Sequence, residues 1–219
     1  MCPRKSKNSE LVICDCGIAD YRVILDKQFE LRDKRRAGEI GDTVLIVEHN
    51  PVITLGAREI ANKLLVDRDE LLQKGVDVVD IRRGGGSTAH NPGQLVFYPI
   101  LNLNELSLGI NEYVRKLEAI GMELLGQLGL SSERKKGFPG LWIRARKIAA
   151  IGVRVSKAIT YHGMAINIQN DLSIFDHIVP CGLQNVEVTS VLKETGEKVP
   201  MSRAKKILTE ILKKELAKE

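Results

Sequence analysis

Between Leu141 and Ile168 three apolar, β-branched runs follow one another almost without interruption: Leu141-Trp142-Ile143, Lys147 to Val155, and Ile159 to Ile168. They are separated only by Arg144-Ala145-Arg146 and Ser156-Lys157-Ala158. Links this short allow hairpins, but not the crossover of a dozen or more residues that parallel neighbours need. An antiparallel meander is therefore expected, and a doubly wound parallel fold fits poorly. Ahead of it, Tyr21, Ile24, Leu25, Gln28 and Leu31 recur at helical spacing after Asp20, a suitable cap, and the pattern ends near Gly38. Val44 to Val47, Val52 to Leu55, Val76 to Ile81 and Leu95 to Tyr98 read as strands, with His49-Asn50-Pro51 as a turn between the first two.

Two further helices complete the pattern. Ile110, Tyr113, Val114, Leu117, Ile120, Leu124, Leu125 and Leu128 form one apolar stripe. Ala204, Ile207, Leu208, Ile211, Leu212 and Leu216 form another, predicted over 202–218 and expected to cover a small C-terminal lobe. Helices before, between and after runs of strands predict an α+β fold with a mixed, mainly antiparallel sheet flanked by helices. A length of 219 residues fits one domain over 1–219.

The 33 basic and 28 acidic side chains leave a charge of +5, which suggests an acidic partner. Nucleic acid fits poorly: four Phe, four Tyr and one Trp supply few stacking platforms, and basic clusters are mixed with acids, as in Glu30-Leu31-Arg32-Asp33-Lys34. The longest uncharged stretch, Gly84 to Asn104, contains His90, Asn91, Gln94 and Asn102 and so does not read as a membrane span. The basic start leads only into Leu11-Val12-Ile13, too short for a secretory core. Four cysteines are too few for a disulfide framework at this length, so free thiols and a cytoplasmic location are expected.

Three segments carry residues capable of chemistry. Arg83-Gly84-Gly85-Gly86-Ser87-Thr88-Ala89-His90 joins a cation to glycines that let backbone approach a ligand closely, yet it lacks the Gly-Lys-Ser/Thr ending of a phosphate loop. Lys147 opens a strand of small and apolar residues, which could leave its ammonium partly desolvated, but by pattern alone it reads as a surface lysine beside a turn. His162 lies in the next strand and by pattern reads as a structural histidine rather than a catalyst. Cys181, in Pro180-Cys181-Gly182, is a nucleophile only as thiolate, a form that a neighbouring ammonium favours. Taken alone it reads as a buried, inert thiol.

Glu48-His49-Asn50-Pro51-Val52, Arg83-Gly84-Gly85 with Thr88 and His90, Pro92-Gly93-Gln94, Lys147-Ile148 with Gly152, His162-Gly163 with Ala165 and Asn167, and Pro180-Cys181-Gly182 occur together, in this order. In this the chain resembles the lipoyl(octanoyl) transferases, roughly from Val44 to Ser190. The resemblance implies the catalytic-domain fold of biotin and lipoate protein ligases. It implies transfer of an octanoyl or lipoyl group from octanoyl-acyl carrier protein to a lysine of lipoyl domains, those of 2-oxoacid dehydrogenase complexes and of glycine cleavage H protein. Cys181 matches the family nucleophile and Lys147 its partner. Substrate contacts map onto Arg83, Gly84, Gly85, Gly86, Ser87, Thr88, Ala89 and His90, onto Ala150, Ile151 and Gly152, and onto Gly163, Met164 and Ala165, with His162 a candidate for acid–base assistance. No metal, nucleotide or other cofactor, no nucleic acid and no membrane is implied. Ala89 and Asn91 depart from the family pattern and predict a differently shaped acyl tunnel. The rival reading is an ATP-dependent lipoate-protein ligase of the same fold, against which Cys181 argues.

Overall fold

The computed structural model describes residues 11–179 and 186–216. In chain order the elements are β1 (Val12–Ala19), α1 (Tyr21–Arg36), β2 (Thr43–His49), β3 (Val52–Leu55), α2 (Arg68–Gln73), β4 (Asp77–Asp80), β5 (Thr88–His90), β6 (Gln94–Ile100), α3 (Ile110–Gln127), β7 (Glu133–Lys135), β8 (Phe138–Ile143), β9 (Arg146–Ser156), β10 (Ile159–Asn167), α4 (Val191–Thr195) and α5 (Met201–Leu216). Seven strands form one sheet in the order β1-β2-β6-β10-β9-β8-β7, and β4-β3-β5 form a small second one. In the large sheet only β1 and β2 run parallel; every other pair is antiparallel, as the meander required.

Strand β2 shows why both faces of the large sheet must be covered. Leu45 and Val47 pack with Ile24 of α1, while Val44 and Ile46 pack with α3 and α5 on the opposite face. Successive side chains point to opposite faces, so a strand with helices on both sides is a continuous apolar run. Asp20 starts α1 by accepting hydrogen bonds from the Arg22 and Val23 amides at 2.8 and 3.2 Å.

The structure adds to or corrects the sequence reading at four points. The apolar start of β1 is broken by Cys14-Asp15-Cys16-Gly17, which hid an edge strand joined to β2 through α1. The His49-Asn50-Pro51 turn makes no hairpin; it carries the chain out of the large sheet into the small one. The C-terminal helix covers no separate lobe, because Ala204, Leu208, Ile211 and Leu212 share one core with α3 and the sheet. Cys14 is disulfide-bonded, against the expectation of free thiols, whereas Cys16 is free. Among the described residues no helix is long and apolar enough to cross a membrane.

Candidate active site

The site lies where β5, β9 and β10 meet the loop that follows β4. Two adjoining cavities share Thr88, Ala150 and Ala165 as common wall. The larger holds about 440 Å³ of space between its walls, the open mouth included. Arg83, Gly85, His90, Ile151, Gly152, His162, Gly163 and Met164 line it, together with Tyr21, Val96 and Tyr98. The smaller, about 310 Å³, is bordered by Lys147, Gln94, Asn167, Phe175 and Val188.

Backbone geometry shapes the larger cavity. Gly152 and Gly163 are register partners across β9 and β10. A Cβ on Gly163 would lie 2.1 Å from the Phe97 carbonyl oxygen, and one on Gly152 would lie 2.9 Å from Arg83 Cδ. Glycine is therefore required sterically at Gly163, where strands press together. His162, next to it, has φ 56°, a left-handed conformation costly for a non-glycine residue in a strand. Its amide turns away from the sheet to donate to Gln28 Oε1 of α1 at 2.8 Å, while its ring Nδ1 is buried without a partner among the described residues.

Arg83 is buried and clamps the small sheet to the site. Its Nη2 donates to the Thr54 carbonyl and Oγ1, both at 2.8 Å, and its Nη1 donates to the Gly84 carbonyl at 3.0 Å. Beside it three histidines are held neutral. His49 is pushed down to about 4 by burial, and its Nδ1–H donates to the Ala19 carbonyl while the Tyr98 hydroxyl donates to Nε2 at 2.8 Å. His90 is pushed down to about 3, chiefly by burial and then by its neighbours His49 and Arg83. His162 falls to about 3 through burial and then the Arg83 and Arg154 charges. His90 Nδ1–H donates to Gln94 Oε1 at 2.7 Å, and Gln94 Nε2 donates in turn to Asn167 Oδ1 at 2.8 Å. Asn167 Nδ2 donates to the Thr189 carbonyl at 2.9 Å, so this relay links the histidine cluster to the strip of chain beside Lys147.

Lys147 is buried, not a surface lysine. A register shift in the β8–β9 ladder sets it opposite Trp142, and its Nζ lies 5.3 Å from the indole centroid. Its backbone N–H donates to the Glu187 carbonyl at 2.8 Å and its carbonyl accepts from the Thr189 N–H at 2.9 Å. Ser87 faces the other end of the same connection, donating to the Val179 carbonyl at 2.8 Å. Cys181, between those two anchors in sequence, lies outside the described residues.

Of the expected contacts, Gly84, Gly86, Ser87 and Ala89 do not line either cavity. Gly86 packs on Ala61, and the Gly84 amide donates to the Val153 carbonyl. On β5, Thr88 and His90 face the site, so alternation turns Ala89 the other way, into the small core with Ile53 and Phe175. Asn91 is likewise engaged elsewhere, donating to the Asp171 carbonyl at 2.8 Å. Neither Ala89 nor Asn91 lines the two cavities, although Ala89 packs in one cluster with Phe175, which borders the smaller one. Tyr21 and Tyr98 line the larger cavity without any sequence signal, and His49, which contacts both, carried a signal only as part of a family motif.

A family model described as the lipoyl protein ligase A/B catalytic domain matches residues 20–213. An octanoyltransferase of Roseiflexus sp. (strain RS-1) is 46% identical over 195 residues, covering 88% of this chain and 81% of the relative. A crystal structure of lipoate-protein ligase A bound with ATP superposes with a TM-score of 0.72 at 15% identity, over 95% of this chain and 85% of the other. A biotin protein ligase from Aquifex aeolicus superposes with a TM-score of 0.53 at 12% identity, over 94% of this chain and 68% of the other.

Proposed function

Because the chain belongs to the octanoyltransferases of the lipoyl protein ligase A/B catalytic-domain family, and is thus an acyltransferase, we propose that it carries the octanoyl group on Cys181. The donor is octanoyl-acyl carrier protein and the acceptor a lysine amine on a lipoyl domain. The observation that carries this reading is the pair of adjoining cavities: one has the buried Lys147 on its wall, and the other, an open cleft lined in part by Val96, Ile151 and Met164, is assigned to the acyl chain. Of the chain anchors on either side of Cys181, Lys147 lines the smaller cavity and Ser87 is the chain neighbour of Thr88 in the shared wall.

The chemistry runs in two steps. The Cys181 thiolate, favoured by the Lys147 ammonium, attacks the donor thioester carbon. The carbon–sulfur bond to phosphopantetheine breaks, and the departing thiolate takes the Lys147 proton. Thioester is exchanged for thioester, so this step is close to balanced in free energy. The now neutral Lys147 removes one proton from the acceptor ammonium. The freed amine attacks the acyl-enzyme, a second proton passes to water, the amide forms, and the Cys181 thiolate is released beside the restored Lys147 ammonium. Thioester to amide is downhill, and two manageable barriers replace one. His162 lines the larger cavity and not the one beside Lys147, so the proton steps are assigned to Lys147.

Octanoyl carrier protein mixed with enzyme, without acceptor, should leave an octanoyl adduct on Cys181 by intact-mass and peptide mass spectrometry. Absence of the adduct, or acylation that requires ATP, would overturn this reading and restore the ligase.

A further inference from the structure

The charge of this chain is not spread over it. Residues 130–147 hold six cations (Arg134, Lys135, Lys136, Arg144, Arg146 and Lys147) and one acid, Glu133. This segment alone has a net charge of +5, the value for the whole chain, so the remaining 27 basic and 27 acidic residues cancel. The segment comprises β7, β8 and the start of β9, and β7 is an edge of the large sheet.

Some of these cations are already committed. Arg146 pairs with Glu194 at 2.7 Å and Arg134 pairs with the buried Glu118 at 3.0 Å. Lys135 and Lys136 have no carboxylate within ion-pair distance among the described residues, and Lys136 is exposed. Beside them Phe138 is 42% exposed, with its ring edge-on to Trp142 at 6.4 Å. Trp142 ties this surface to the site, because Lys135 Nζ lies 4.3 Å and Lys147 Nζ 5.3 Å from its centroid. The two ammonium groups are thus no farther apart than the sum of those distances.

We propose that the β7–β8 hairpin is the docking surface for the donor: an acidic carrier protein whose acyl chain hangs from a phosphate-linked thiol arm. The proposal rests on the transferase reading above and adds where the donor lands. Lys135 and Lys136 meet the phosphate and the acidic face of the carrier, and Phe138 supplies an aromatic anchor at the centre of a basic rim, the usual composition of a protein interface. A thioester delivered over this edge passes the face of Trp142 to reach Lys147. Charges at such a rim act mainly on encounter, so they belong to KM more than to kcat.

The test compares wild type with Lys136→Glu and with Lys135→Glu/Lys136→Glu. The single variant is included because Lys136 is exposed, whereas Lys135 also packs on Trp142. The KM for octanoyl carrier protein should rise about tenfold in the double variant, with kcat within about twofold, and the wild-type KM should rise with salt. The ratio of KM values for carrier-bound and pantetheine-bound octanoyl donors should rise in parallel. A matched reversal on α5, Lys206→Glu, should leave that ratio at its wild-type value. Unchanged donor KM in both hairpin variants, or a rise confined to the lipoyl-domain acceptor, overturns the docking assignment while transfer itself persists. Loss of the function reading looks different: wild type then gives no carrier-dependent acyl adduct at all.

Discussion

Mild acid should destabilise this protein through its buried histidines. His49, His90 and His162 are held neutral inside, at about 4, 3 and 3. In the unfolded chain each titrates near the reference value of about 6.5, so it is roughly a quarter protonated at pH 7 and about nine-tenths at pH 5.5. Over that window the unfolded state binds more protons than the native state, and stability therefore falls as pH falls. Each ring contributes a loss of about 1.2 kcal/mol between pH 7 and 5.5, and the three together about 4 kcal/mol. That is a large part of the ~5–15 kcal/mol typical of a folded domain. Carboxylates contribute little here, because their unfolded values near 4 lie below the window. Urea unfolding followed by circular dichroism at both pH values measures the loss directly. In a His49→Asn variant the pH-dependent part should shrink by about a third, whatever that variant's own stability. A wild-type loss below about 1 kcal/mol would mean that the rings already take up protons in the native state, and would refute the argument from burial.

Two further outcomes follow from the geometry of the site. Gly163→Ala places a methyl 2.1 Å from the Phe97 carbonyl, so β10 must separate from β6. A stability loss of about 1–3 kcal/mol in the same urea assay is expected, and a neutral effect would show that the strands yield. Ala150→Leu adds bulk to the wall shared by the two cavities; octanoyl transfer should fall about tenfold or more while a short acyl donor such as butyryl is spared, as a donor series by mass spectrometry would reveal.

Much of the fold was legible because it depends on local pattern. The short links of the meander compel antiparallel pairing, Asp20 caps α1, and the stripe from Tyr113 to Leu128 can bury only one face, though Ile110, expected to open it, is exposed. The ordered motifs likewise pointed to the family without any coordinates. Edge strand β1 was not legible, since an edge needs no continuous apolar run, and Cys14-Asp15-Cys16-Gly17 has none.

What the sequence by itself determined was the set of elements and the chemical types present: a lysine, a cysteine, a glycine-rich loop and an antiparallel sheet. The tertiary structure alone decided which of them meet. Ala89 and His90 are neighbours in the chain, yet the two-residue period of β5 turns one to the small core and the other to the cavity. Tyr21, His49 and Tyr98 come from three separate elements and converge because β2 pairs with β6 and α1 packs across the sheet. Lys147 reads as a surface residue until a shifted ladder sets it against Trp142 and the 187–189 segment closes over its backbone. Burial and contact are properties of packing between distant segments, and no local pattern along the chain encodes them.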